Sequence, residues 1–164
     1  MGRQDGRTGD ERRDVRHRRR SVNLEPTISI PDAPGEAERL AVWNALLAYN
    51  NKSVGPNDYQ PLSILIHDPE TGEPAGGIWG KTAYNWCFVE LFVVPEKFRG
   101  QDIGTKVLKL AEDVARERGC IGLWLDTYWF QARSFYEKQG YEVFGELPDY
   151  PRGGPRYFLK KSLI

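Results

Sequence analysis

Two cysteines and two histidines are all that these 164 residues offer for thiol or imidazole chemistry. Cys87 and Cys120 do not form a C-x-x-C pair. His17 lies near the start of the chain and His67 beside a turn signal. No cysteine–histidine metal site is therefore expected. No motif sets a histidine to activate either thiol, which argues against a cysteine nucleophile. The G-x-S-x-G elbow of serine hydrolases is missing as well. No apolar run approaches the roughly 20 residues that cross a bilayer, and no signal-peptide stretch precedes the fold. These absences predict a cytoplasmic, disulfide-free protein with no membrane partner.

The chain also lacks net charge, but unevenly. Residues 1–20 hold eight arginines and only four acids, so residues 21–164 are acidic to the same extent. The basic segment has almost no apolar side chains and cannot bury enough surface to fold, which predicts a disordered tail over residues 1–22. An acidic body offers no groove for a phosphate backbone, so nucleic acid is not an expected partner. Residues 23–164, with 40% hydrophobic residues across the chain, suit one globular domain.

What is present centres on the stretch from Glu90 to Lys106. It reads as a buried strand, a basic glycine-bearing turn and the first turn of a helix. Such a turn aims several backbone N–H groups at one point, and the helix N-terminus adds partial positive charge. This is an anion site, with phosphate the natural ligand and Arg99 a full charge at its rim. Neither the dinucleotide fingerprint nor the nucleoside-triphosphate loop fits the spacing of Gly100 and Gly104.

The pattern Leu91-Phe-Val-Val-Pro95, Arg99-Gly100-Gln101, Ile103-Gly104 resembles the coenzyme A pyrophosphate loop of the GNAT superfamily of N-acetyltransferases. Asp102 stands where that family usually has its first motif glycine. A second segment, Ala132-x-x-x-Tyr136-x-x-x-Gly140-Tyr141, resembles the family's Ala-x-x-x-Tyr-x-x-x-Gly-Phe helix, with Trp129 where an asparagine is frequent. The two motifs together span roughly residues 61–161.

Hydrophobic periodicity predicts the order of elements. A strand is expected at 27–30, a helix at 33–49 and a hairpin of strands at 62–66 and 75–79. Strand 86–94, helix 102–118, strand 121–126 and helix 131–139 follow, and strands 141–147 and 156–160 close the chain. Helix 102–118 should bury Ile103, Val107, Leu110, Ala111 and Val114. The order fits the resemblance, which implies an α/β fold with a mixed sheet of about seven strands, flanked by helices, in which two parallel strands splay apart.

The resemblance implies acetyl-CoA as co-substrate and a set of site residues. Phe92, Val93 and Val94 would meet the acetyl carbonyl and pantetheine through their backbone. Arg99, Gly100, Gln101, Asp102, Ile103, Gly104 and Thr105 would hold the pyrophosphate, with Gln131 nearby. Tyr136 would sit beside the sulfur as proton donor. Its alternative is a packed core aromatic.

Glu90 interrupts an apolar strand. A carboxylate buried there would be poised as a general base, directly or through water; at the strand's exposed edge or paired with an arginine it would be structural. Asp126 ends strand 121–126 and could either hold a cationic amine or cap the next turn. Trp79, Tyr84, Trp86 and Tyr128 are expected around the acceptor, where aromatic rings suit cationic groups. The function expected is direct transfer of acetyl to a small-molecule amine. A non-catalytic acyl-CoA-binding module and acetylation of a protein or peptide amine are the alternatives, and a homodimer is left open.

Overall fold

The computed structural model describes residues 25–164, so the expected tail over 1–22 lies outside the described residues. The chain divides into two units, Met1–Trp43 and Asn44–Ile164. Residues 27–30, where a strand was expected, have no regular structure. Pro26 and Pro31 flank this short run and deny it ladder donors, and an alternating pattern makes a strand only where a neighbour pairs with it. Helix α1 (Glu36–Val54) follows and runs across the boundary between the units. Glu36 and Glu38 in its first turn and Lys52 in its last complement the helix dipole.

The second unit is built on a six-stranded sheet, one strand fewer than expected. Its members are β1 (Gln60–His67), β2 (Pro74–Ala83), β3 (Trp86–Val93), β4 (Gly122–Tyr128), β5 (Glu142–Leu147) and β6 (Arg156–Ser162). They lie in the order β1-β2-β3-β4-β6-β5. Every neighbouring pair is antiparallel except β3 and β4. Helix α2 (Ile103–Glu117) makes the crossover between those two, and α3 (Arg133–Lys138) follows β4.

One face of the sheet carries the core. Leu62, Ile78, Cys87, Val89, Leu123, Leu125 and Leu159 are buried there with Val107, Leu108, Ala111 and Ala115 of α2. The face of α2 is rotated from the expected one: Leu110 is half exposed, while Leu108 and Glu112 are buried. Glu112 is tolerated because it is fully partnered. Lys161 Nζ reaches both its oxygens at 2.8 and 2.9 Å, and the Tyr141 hydroxyl donates to it at 3.0 Å. A buried carboxylate without such partners would be strongly destabilising.

The feature that shapes the site is where β3 and β4 part. Their pairing ends at Val89 opposite Leu125, although β3 continues to Val93 against β2 and β4 to Tyr128 against β6. A bulge falls at the same point. Gly80 pairs with Val89 and Trp79 with Leu91, so Glu90 is the extra residue on β3. A bulge bends its strand and increases its twist, which turns the end of β3 away from β4. Gly80 is required here: a Cβ on it would stand 2.1 Å from the Phe88 carbonyl oxygen.

Candidate active site

Beyond Val89 and Leu125 the parted strands open a cleft of about 1120 Å³. Its walls are the C-terminal half of β3, the turn from Phe98 to Thr105, the end of β4 and the start of α3. Past the last shared rung, the edges of β3 and β4 that face one another make no ladder bonds. Backbone donors and acceptors there are free for a ligand's amides.

The turn is built to receive an anion. Gly100 has φ +72° and Asp102 φ +62°, both left-handed. Asp102 caps α2 in position only, for its side chain makes no cap hydrogen bond. Lys106 N–H bonds back to the Asp102 carbonyl at 3.1 Å, so the N–H groups of Ile103, Gly104 and Thr105 are the orphans of the first turn. A Cβ on Gly104 would already touch the Phe135 ring at 3.4 Å. The Asp102 backbone thus takes the conformation that glycine adopts most readily, one that aspartate tolerates better than most residues. Its exposed carboxylate is turned neither to the cap nor to a cation.

Not every expected contact of the turn is present. Arg99 lines the cleft, and its Nε donates to the Val94 carbonyl at 3.1 Å. Gln101 is not among the lining residues. Its amide instead donates to the Lys97 carbonyl at 3.1 Å and braces the turn from outside. Gln131 lines the cleft, but its side-chain oxygen accepts from Tyr128 N–H at 2.9 Å and faces the Thr127 hydroxyl at 3.2 Å. That locks the end of β4.

Tyr136 lines the cleft, 7% exposed, with its ring set among Phe92, Phe135 and Tyr141. Its hydroxyl has no hydrogen-bond partner among the described residues. Burial, and secondly the charge of Asp126, push its pKa up to about 12. The phenol is therefore protonated at any neutral pH.

The two carboxylates occupy the first positions past the last rung, Glu90 on β3 and Asp126 on β4. Both line the cleft. Glu90 is not buried as expected. It is exposed and paired with Lys81 at 2.6 Å, because the bulge swings it out of the apolar alternation. Asp126 is the more enclosed, and Arg156 Nε and a terminal nitrogen reach its Oδ2 at 2.7 and 2.6 Å.

Among the aromatic residues expected around the acceptor, Tyr128 lines the cleft and Trp79, Tyr84 and Trp86 do not. Tyr84 sits in the β2–β3 turn, at the opposite end of β3. Trp86 instead lines a separate apolar hollow of about 460 Å³ with Trp124, Phe144, Phe158 and Lys160. The direction of a hairpin is a tertiary fact that local composition does not reveal. Phe130 and Arg156, which do line the cleft, were missed. Phe130 lay unassigned beside Trp129, and nothing local to Arg156 marks it, since its place follows from β6 pairing with β4.

Cys87 and Cys120 are free and buried. Burial, with a smaller effect of Cys120, pushes the Cys87 thiol up to about 12. Neither is among the lining residues of the cleft, and no group of acids, cysteines and histidines among the described residues could hold a metal ion.

Residues 30–141 match the model of the Acetyltransferase (GNAT) family. The chain belongs to the GNAT family of acetyltransferases. It is 39% identical over 129 residues to acetyltransferase Atu2258 of Agrobacterium fabrum, covering 79% of this chain and 93% of that protein. It is 41% identical over 95 residues to the blasticidin-S acetyltransferase of Streptomyces morookaense, covering 57% of this chain and 70% of the relative. A crystal structure from Agrobacterium tumefaciens superposes with a TM-score of 0.78 at 34% identity, over 84% of this chain and 99% of that one.

The GNAT chain is thus an acyltransferase that uses acetyl-CoA. The residues present fit that co-substrate. A left-handed turn and three orphan N–H groups at the start of α2 suit a diphosphate, and the unpaired edges of β3 and β4 suit the amides of a pantetheine arm.

Proposed function

We propose that this acetyltransferase passes the acetyl group directly to an amine of a small molecule, with both substrates in the cleft together. The carrying observation is the Tyr136 hydroxyl. Its phenol is protonated and free of partners among the described residues, and since no buried side-chain oxygen there lacks a partner, the hydroxyl is open to the cleft that Tyr136 lines. A protein that only bound acyl-CoA would gain nothing from presenting a protonated, unpartnered phenol to the cleft.

In this reading acetyl-CoA supplies an activated carbonyl. The backbone of Phe92, Val93 and Val94 holds the acyl end and donates to its oxygen as negative charge develops. The turn from Arg99 to Thr105 shapes the phosphate end, with Gln101 bracing it from outside, while Gln131 holds the end of β4. One C–N bond forms and one C–S bond breaks, while one proton leaves nitrogen and one arrives at sulfur. Tyr136 donates a hydrogen bond to the departing sulfur. Because its pKa is about 12, above that of a thiol at about 8.5, complete transfer from the phenol is uphill. Its role is therefore to stabilise the thiolate while solvent protons equilibrate. Glu90, exposed and held by Lys81, is suited to receive the amine's proton through water rather than by contact.

A relative named for acetylating blasticidin S supports a small-molecule acceptor. Two free buried thiols suit the cytoplasm, and no described helix is long and apolar enough to cross a membrane. The test is thiol release from acetyl-CoA with and without added amines. Release that depends on an amine and yields the N-acetyl product is expected. Tight acetyl-CoA binding with no release from any of a broad set of amines would leave only a binding module.

A further inference from the structure

Asp126 and Tyr128 of β4 and Arg156 of the neighbouring β6 line the cleft together. Trp124, Asp126 and Tyr128 alternate onto the face of β4 that is turned away from the core. Phe158 pairs with Asp126 and Arg156 with Tyr128 across the β4–β6 ladder, so Arg156 is the diagonal neighbour of Asp126. Its guanidinium lies 5.0 Å from the Tyr128 ring centre, 5.1 Å from that of Tyr150 and 5.7 Å from that of Phe158. The loop bearing Tyr150 is itself pinned, by Tyr150 N–H to the Gly154 carbonyl at 2.9 Å and Gly153 N–H to Asp149 Oδ1 at 2.7 Å.

The ion pair is one-sided. Both Arg156 nitrogens go to Asp126 Oδ2. Oδ1 accepts from no described residue, yet no buried side-chain oxygen among the described residues is left without a partner. Oδ1 is therefore open to the cleft that Asp126 lines.

We propose that Asp126 Oδ1 anchors a cationic group of the acceptor other than the reacting amine, and that Arg156 is the positioning residue that aims it. This rests on the acetyl-transfer reading above. The reacting nitrogen must be neutral to attack. Both charge-assisted bonds from Arg156 fall on Oδ2, which leaves Oδ1 to meet a second cation. The acceptor is then a molecule with at least two basic nitrogens. One docks as an ammonium or guanidinium at Oδ1 beside the Tyr128 and Phe130 rings, which stack at 5.4 Å. The other faces the thioester.

The test compares matched amines on the full chain: 1,4-diaminobutane against 1-aminobutane and 1,5-diaminopentane against 1-aminopentane, by thiol release. The diamines should be favoured in kcat/KM by about 10- to 100-fold, the worth of one charged hydrogen bond. The difference should lie in KM and shrink as salt rises. Asp126→Asn should bring the ratio close to one. Arg156→Gln should lower it, with Arg156→Lys recovering part, because a misaimed carboxylate binds less well. Melting temperatures identify any variant that fails to fold, and the salt dependence of the wild-type ratio stands without variants. Equal use of diamines and monoamines, or a preference that survives Asp126→Asn, overturns the anchor while leaving acetyl transfer intact. No thiol release with any amine overturns acetyl transfer itself.

Discussion

Val89 and Leu125 form the last rung that β3 and β4 share, and the cleft opens just beyond it. The next residue on β3, Glu90, is the bulge, and the next on β4, Asp126, is paired with Arg156. The cleft is therefore a consequence of one extra residue in one strand, placed where two parallel strands would otherwise have continued together.

The turn before α2 gives the first prediction. Asp102 holds a left-handed backbone and places a negative charge beside the anion site. Asp102→Gly should tighten acetyl-CoA binding by removing both effects, most visibly at low salt. Isothermal titration at two ionic strengths checks it. Weaker binding in the variant would mean that the carboxylate contributes to the site.

The Glu112 network gives the second. Lys161→Ala leaves a buried carboxylate with its main cation gone, and should cost about 2–3 kcal/mol in urea unfolding. Lys160→Ala is the control. It loses only an exposed pair with Glu142 and should cost less than about 1 kcal/mol.

Alkaline pH gives the third. Burial raises the pKa values of Cys87, Tyr136 and Tyr141 in the folded protein. A raised pKa means the folded state holds its proton more tightly than the unfolded chain. The associated stability is complete below the unfolded values and is lost as pH rises through the folded ones. Stability should therefore fall from about pH 9 toward pH 12, Tyr136 accounting for about 1.4 kcal/mol of the loss by about pH 11. Urea midpoints across this range should fall less steeply in Tyr136→Phe. A flat profile would contradict the burial of all three groups.

The thiols give a fourth. Direct transfer needs no acyl-enzyme, and Cys87, buried and with its pKa raised to about 12, is almost wholly thiol at neutral pH. Intact-mass spectra after mixing with acetyl-CoA alone should show no added acetyl group. A stable acetyl adduct on either cysteine would refute direct transfer.

Much of this was legible in the sequence, for physical reasons that also mark the limits. The turn from Arg99 to Thr105 and the helix bearing Tyr136 are local motifs, in which a few adjacent residues fix their own backbone. Val107 and Ala111 follow from helical periodicity, but the buried face of α2 also takes in Glu112, and only Lys161 and Tyr141, from elsewhere in the chain, make that possible. Residues 27–30 have the alternation of a strand and no partner. Arg156 carries no local mark, since its meeting with Asp126 depends on an antiparallel register between residues 30 apart. Tyr84 and Trp86 were expected at the acceptor because they are aromatic, but the β2–β3 turn carries them to the far end of the sheet.

The central claim is that Tyr136 serves the departing sulfur in a direct transfer. Tyr136→Phe keeps the ring and its packing with Phe92, Phe135 and Tyr141 and removes only the hydroxyl. The decisive measurement is kcat for thiol release by this variant, with a saturating amine acceptor and under conditions where chemistry limits the rate. The account predicts a fall of about a hundredfold or more in kcat with the acetyl-CoA dissociation constant nearly unchanged. A kcat within about twofold of the wild type would contradict it and reduce Tyr136 to a packed aromatic of the core.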